Sequence, residues 1–161
     1  MPALVQKAAR LGLKIASALA FLAPLLTRVT VGYAFFLTGR GKLQDLEAFS
    51  GYLQDLGVPL PGVHAPLVAG LEFVGGLALV IGLGTRLFSL GLLGTMVGAL
   101  VTAEKEAFLE SWLPSGDVGP LDIDPWVFFL LLSWLVLKGP GLLSLDRLLA
   151  KRLRISGGES E

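Results

Sequence analysis

The sequence predicts an all-α integral membrane protein, a four-helix bundle with short amphipathic interfacial helices. Three observations carry that reading. Hydrophobic residues make up 53% of the 161-residue chain and charged residues only 16%, where a soluble domain carries about 25% charged residues. Mean hydropathy is +0.73. The apolar residues also gather into four runs long enough to approach the ~20 residues of helix that a bilayer core demands.

The first run, about residues 15–37, follows a basic stretch of Lys7, Arg10 and Lys14. A signal peptide is the rival reading of this terminus. The run is too long for a signal h-region and ends without a convincing small-x-small cleavage site, so a span is expected. Gly39-Arg40-Gly41-Lys42 follows it. Leu43, Leu46, Phe49, Leu53 and Leu56 then recur at three-to-four spacing with polar residues between them, an amphipathic helix lying at the interface or capping the bundle. Pro59-Leu60-Pro61-Gly62 is expected to end it.

The second run, about 64–83, and the third, about 87–103, are separated only by Gly84-Thr85-Arg86, a tight hairpin. Gly91, Gly94 and Gly98 give the third span a small-xxx-small stripe, which predicts close helix packing. An acidic loop broken by Pro114, Gly116, Gly119 and Pro120 leads to a short fourth run, about 123–138. Trp126 and Trp134 lie near its two ends, where aromatic anchors are common. Gly139-Pro140-Gly141 stops that helix. A basic amphipathic helix over 142–154 follows, with Ser144 as N-cap and Asp146 in its first turn. One domain over 1–155 and a disordered tail over 156–161 complete the expected layout.

Four spans put both termini on one side. That side holds Lys7, Arg10, Lys14, Arg86, Lys138, Arg147, Lys151, Arg152 and Arg154, and the other only Arg40, Lys42 and Lys105. The positive-inside rule then places both termini in the cytoplasm of a bacterial inner membrane. The acidic outer face reads as solvated, or as meeting a basic partner or cations. No basic patch interleaved with aromatics argues for nucleic acid.

The chain has no cysteine, one histidine and two methionines. It therefore brings no thiolate metal site, cysteine-bound cluster or bis-His haem of its own. No metal site is expected, and any electron carrier is borrowed.

Two charges sit inside the apolar runs, Arg28 in the first and Glu72 in the second. A charge at the bilayer centre costs about 2.5–3.5 kcal/mol on insertion scales, so each is a functional-site hypothesis by default. Arg28 lies nine residues before Leu37 and Glu72 eight after His64, so both fall ~12–14 Å below the outer surface at 1.5 Å per residue. Equal depth makes a salt bridge geometrically cheap, so the two are expected to face each other or a polar cavity, the helix rotation being left open by the sequence. Such a pair is either a structural clasp or a site, with Arg28 donating to a quinone carbonyl or an anion and Glu72 handling protons. Lys42, just after Gly39 and Gly41, is a further binding candidate, or it snorkels to headgroups. Arg28, Gly32, Phe35 and Gly39 share one helical stripe, and Glu72, Gly75, Gly76 and Leu79 another. His64 reads as an interfacial polar residue. Trp112 either docks a partner or buries itself in the interface.

These residues resemble the DoxX family of small four-span bacterial membrane proteins. The match runs through Arg28, Gly32, Phe36, Gly39 and Lys42-Leu43, then Glu72-Phe-Val-Gly75-Gly76-Leu-Ala-Leu79-Val-Ile-Gly82 with Thr85-Arg86. It ends in Gly139-Pro140-Gly141-Leu-Leu-Ser144-Leu-Asp146. The resemblance implies a membrane bundle linked to redox or sulfur metabolism, with a quinone as the implied cofactor. With the charges inside the spans, this reading takes Arg28, Lys42 and Glu72 as binding residues, Glu72 as the catalytic candidate, and Gly32, Gly39, Gly75, Gly76 and Arg86 as structural. The implied partners are the lipid bilayer and a redox enzyme or further copies. The alternative is a non-catalytic membrane adaptor or maturation factor for a partner enzyme.

Overall fold

The computed structural model describes residues 3–113 and 118–157, and no strand occurs among them. The helices are α1 (Ala3–Leu19), α2 (Leu22–Gln44), α3 (Leu46–Asp55), α4 (Pro61–Ile81), α5 (Thr85–Val101), α6 (Lys105–Glu110), α7 (Asp124–Lys138) and α8 (Leu145–Gly157), with a 3-10 turn at Pro120–Asp122. α2 packs on α4, α4 on α5, α5 on α7 and α7 back on α2. Val31, Phe35, Leu79, Leu92, Met96, Leu132 and Leu135 form the core inside this ring. The ring has a termini end, with the start of α2, the α4–α5 turn and the chain after α7. The opposite, loop end carries α3 and α6.

The first expected span is displaced. Two helices stand where one was read, with the break at Ala20–Phe21. Pro24 is the physical cause, since a proline ring inside a helix collides with the carbonyl four residues back, here that of Ala20. In the first turn of a new helix the same proline is tolerated, and α2 starts at Leu22. At its other end α2 does not stop at the glycines. Gly39, Arg40, Gly41 and Lys42 are all helical, and the chain turns only at Asp45, whose carboxylate caps α3 through Ala48 N at 2.9 Å.

Glycine decides how α2 meets α4. A Cβ on Gly39 would run into the Phe73 backbone nitrogen, and one on Gly32 would lie 2.7 Å from Gly76 O. The antiparallel register therefore sets Gly39 against Glu72–Phe73 and Gly32 against Gly76–Val80. Phe36 and Phe73 stack beside this crossing at 5.0 Å. Gly75 faces α5 instead, where its Cβ would make ordinary contact with Leu92 at 3.4 Å.

Pro61 does not end the amphipathic helix but opens α4, and α3 is closed by Gly57 at φ +72°. Leu60, held off the right-handed region by the proline after it, takes φ +50°. The α4–α5 hairpin turns through Gly82 and Gly84, both left-handed. α5 and α7 have 17 and 15 residues, ~25 and ~22 Å of helix, short of the ~30 Å hydrocarbon core. Among the described residues, α4 and the stretch Val5–Gln44 are long and apolar enough to cross a bilayer.

Ser144 behaves as read, its Oγ accepting from Arg147 N at 3.3 Å. α8 begins at Leu145 and continues to Gly157, past the expected end at 154 and into the segment read as tail. Residues 158–161 of that tail, and Pro114 and Gly116 of the loop, lie outside the described residues.

Candidate functional site

The expected Arg28–Glu72 pair does not form. α2 continues seven residues past Leu37 to Gln44, so Arg28 lies farther from the loop end than its distance from Leu37 implies. In the observed register Arg28 lies level with Gly82, and Glu72 with Gly39, about eleven residues or ~16 Å apart along α2. Each charge has a different partner.

Arg28 belongs to the termini end. It is 2% exposed, and its two terminal nitrogens donate to Pro140 O at 2.8 Å and Leu143 O at 2.7 Å. Gly82 leaves room for the guanidinium, since any Cβ there would strike Nη1. Asp146 completes the assembly. Its carboxylate accepts from Gly84 N at 2.6 Å and Thr85 N at 3.0 Å, and its own N–H donates to Gly82 O at 2.9 Å. Asp146 thus caps α5, a different helix from the one whose first turn it occupies, and Arg28 fixes the chain that delivers it. Thr85 Oγ1, Ser89 Oγ and Arg28 Nε are buried with no hydrogen-bond partner among the described residues. Arg86 is exposed and lies beside Gly139, where a Cβ would come within 3.1 Å of its Nε.

Lys42 and Glu72 form the second assembly, at the loop end. The ammonium sits 2.6 Å from Oε1 and 2.7 Å from Oε2 of Glu72. Glu72 is 2% exposed and the Lys42 side chain 30%, so the carboxylate is buried and the cation half-open. The ammonium also lies 4.8 Å from the centroid of the Phe49 ring on α3, an attractive approach for a cation. Lys42 is therefore neither a headgroup snorkel nor a loop residue. It is the last polar residue of a stripe that runs Arg28, Gly32, Phe35, Gly39, Lys42 along α2. Continuing that stripe by one more step of three is the signal that finds it from sequence.

The pair opens on a cavity of about 750 Å³ between α2, α3, α4, α5 and the start of α7. Phe35, Phe49, Tyr52 and Phe128 supply aromatic wall, and His64 lies at its edge, its Nδ1 3.2 Å from Leu60 O. Gly94 and Gly98 line the same space, and a Cβ on either would meet nothing within 4 Å. The expected packing stripe on α5 is thus open floor, and only Gly91 abuts a neighbour, Leu71. Small residues here leave open space where close helix packing is expected from sequence. Trp112 is 59% exposed and sits edge-on to Phe108 and Trp126 in an aromatic group beside this end.

Buried charge of both kinds, the glycine-sealed α2–α4 crossing and the Gly82–Gly84 turn fall within residues 23–105, which match the DoxX family model. The chain belongs to the DoxX family. It is 33% identical over 136 residues to "Inner membrane protein YqjF" of Escherichia coli (strain K12), a match covering 80% of this chain and 92% of that protein. A membrane protein of Mycobacterium tuberculosis (strain ATCC 25618 / H37Rv) is 30% identical over 138 residues, 81% of this chain and 83% of its own. "Putative oxidoreductase CatD" of Bacillus subtilis (strain 168) is 34% identical over 83 residues, 52% of this chain and 60% of that protein. The chain thus spans less than two thirds of CatD. No solved structure matches. A DoxX-family chain with these relatives is a membrane protein.

Proposed function

We propose that this protein is a bacterial inner-membrane component of a redox process that binds a quinone in the cavity at its loop end. In this reading α2, α4, α5 and α7 span the membrane, and both termini lie in the cytoplasm. The single observation that carries the reading is a buried carboxylate held by a half-open ammonium at the wall of an apolar, aromatic-lined cavity. Volumes of 300–1,000 Å³ lined by apolar groups with a few convergent polar ones are typical of small-molecule sites. The name of the CatD relative lends weight to the redox side, and the basic residues flanking the helices to the orientation.

The site fits a quinone headgroup. Phe35, Phe49, Tyr52 and Phe128 offer flat apolar surface to a ring. Lys42 carries three donors and, while pairing with Glu72, keeps capacity to donate to a carbonyl oxygen. Glu72 holds the proton side of the exchange, because a carbonyl that takes up electrons also takes up protons. A bound quinone would supply two-electron chemistry. The electrons come from a partner enzyme, since this chain has no cysteine and a single histidine. Arg28 plays no part in binding here, since its terminal nitrogens are committed to backbone carbonyls.

Titration of a short-chain ubiquinone or menaquinone analogue into the purified protein in nanodiscs tests the site. Wild type is expected to saturate, and Lys42→Gln to bind at least tenfold more weakly. Equal binding by the two would refute the quinone site and leave the adaptor reading, to which the exposed Trp112 lends some support. In that case Trp112→Ala would abolish partner capture.

A further inference from the structure

We propose that the termini end carries a binding site for one anionic phospholipid, its phosphate held between Lys138 and Arg147. The site is a groove of about 670 Å³ between the α1–α2 elbow and the chain after α7. Its walls are apolar at Phe21, Pro24 and Leu142, and its rim carries the two basic side chains. Both are exposed and neither is in an ion pair among the described residues. Asp146 also lines the groove, yet its two oxygens are engaged by the amides of Gly84 and Thr85. The groove therefore offers two free cations over an apolar trough, the charge and polarity pattern of a headgroup above its acyl chains.

The position suits a lipid of the surrounding leaflet. Lys138 lies 5.4 Å over the Trp134 ring, and a Trp–Lys pair at the end of an apolar helix marks headgroup depth. The two helices that bound the groove are amphipathic and basic. α1 carries Lys7, Arg10 and Lys14, α8 carries Arg147, Lys151 and Arg152, and both leave leucines such as Leu11, Leu13, Leu148 and Leu149 exposed. Among the described residues neither shares an extensive interface with the ring. Helices of this kind lie in the interfacial plane with their basic faces toward anionic headgroups. The groove is where their two surfaces converge on the bundle.

Native mass spectrometry of the full chain, released from nanodiscs of equimolar phosphatidylglycerol and phosphatidylcholine, reads the site directly. One retained phosphatidylglycerol per chain is expected. Each basic residue near an anionic headgroup is worth about fivefold, or ~1 kcal/mol, so retention should favour phosphatidylglycerol by roughly 25-fold. Lys138→Gln with Arg147→Gln should erase that preference. Lys151→Gln with Arg152→Gln, on α8 beyond the groove, should leave it within about twofold. Added glycerol phosphate should not displace the bound lipid, because it lacks chains to fill the trough. Retention without headgroup preference, an equal loss in both double variants, or displacement by glycerol phosphate would each overturn the site. All four side chains are exposed, so the variants keep the fold, and an unchanged melting temperature verifies it.

Discussion

The two ends of the α2–α4 pair solve the same problem in opposite ways. Each buries one charge, Arg28 or Glu72, beside a half-buried group of opposite sign, Asp146 or Lys42, and each leans on glycine to make room. At the termini end Arg28 is gripped by backbone carbonyls and Asp146 by backbone amides, groups that cannot rotate away. At the loop end Lys42 and Glu72 are held by side chains alone, each other and the Phe49 ring, beside an open cavity. A charge tied to main chain fixes architecture, and a charge tied to another side chain can exchange its partner for a ligand. Under the proposed function the first end serves as a clasp and the second as the site.

The largest effect should come from breaking the clasp. Arg28→Met removes two charge-assisted hydrogen bonds and leaves the Pro140 and Leu143 carbonyls without their donor. Hydrogen bonds to charged groups contribute about 1.5–3 kcal/mol each, so a loss of ~3–6 kcal/mol is expected in denaturant unfolding from detergent micelles. Arg28→Lys should recover only part, since one ammonium cannot match a fork that reaches two carbonyls. Full stability in Arg28→Met would erase the distinction between the ends.

Next in size is the loop end, where the sign depends on how the pair is removed. Lys42→Met strands a buried carboxylate and should cost about 3–5 kcal/mol. Adding Glu72→Leu should return most of it, because well-packed apolar replacements of buried pairs are often neutral or better. The double variant should fold and bind no quinone analogue. If it stays as unstable as Lys42→Met alone, the pair is architectural and the contrast fails. Asp146→Asn should be milder. An amide side chain accepts from one of the two α5 N–H groups and turns a donor toward the other, a loss of ~1–3 kcal/mol, read as a lower unfolding midpoint with α5 fraying first in hydrogen exchange.

The helices were legible because burial in a bilayer writes itself as long apolar runs, and the Ser144 cap because its chemistry is local. The Arg28–Glu72 pairing fails because hydropathy ends the first span at Leu37, whereas α2 runs on through Gly39 and Gly41 to Gln44. Gly39 and Gly41 lie beyond the apolar run, which places them outside the span, whereas Gly39 is inside α2 and there for the Phe73 backbone. Asp146 was visible as a first-turn acid, yet its role in capping α5 depends on a chain reversal at Gly139–Gly141 that no local pattern specifies. Partner choice at long range is where the sequence alone ran out.

The smallest stability effect should fall where sequence and structure disagree most plainly about glycine. Gly39 and Gly94 look alike as small residues in apolar helices. A methyl on Gly39 has no space, and one on Gly94 meets nothing within 4 Å. Gly94→Leu should therefore cost no packing and, by replacing a mid-helix glycine, should stabilise the fold by about 0.5–1 kcal/mol. Its side chain would nonetheless project into the cavity beside Lys42 and Glu72 and weaken binding of the quinone analogue tenfold or more. A stable protein that has lost its ligand would separate the loop end from the termini end more cleanly than any charge substitution. It removes space and leaves the ion pair intact. Unimpaired binding in Gly94→Leu would show that the cavity beside the pair is not where the ligand sits.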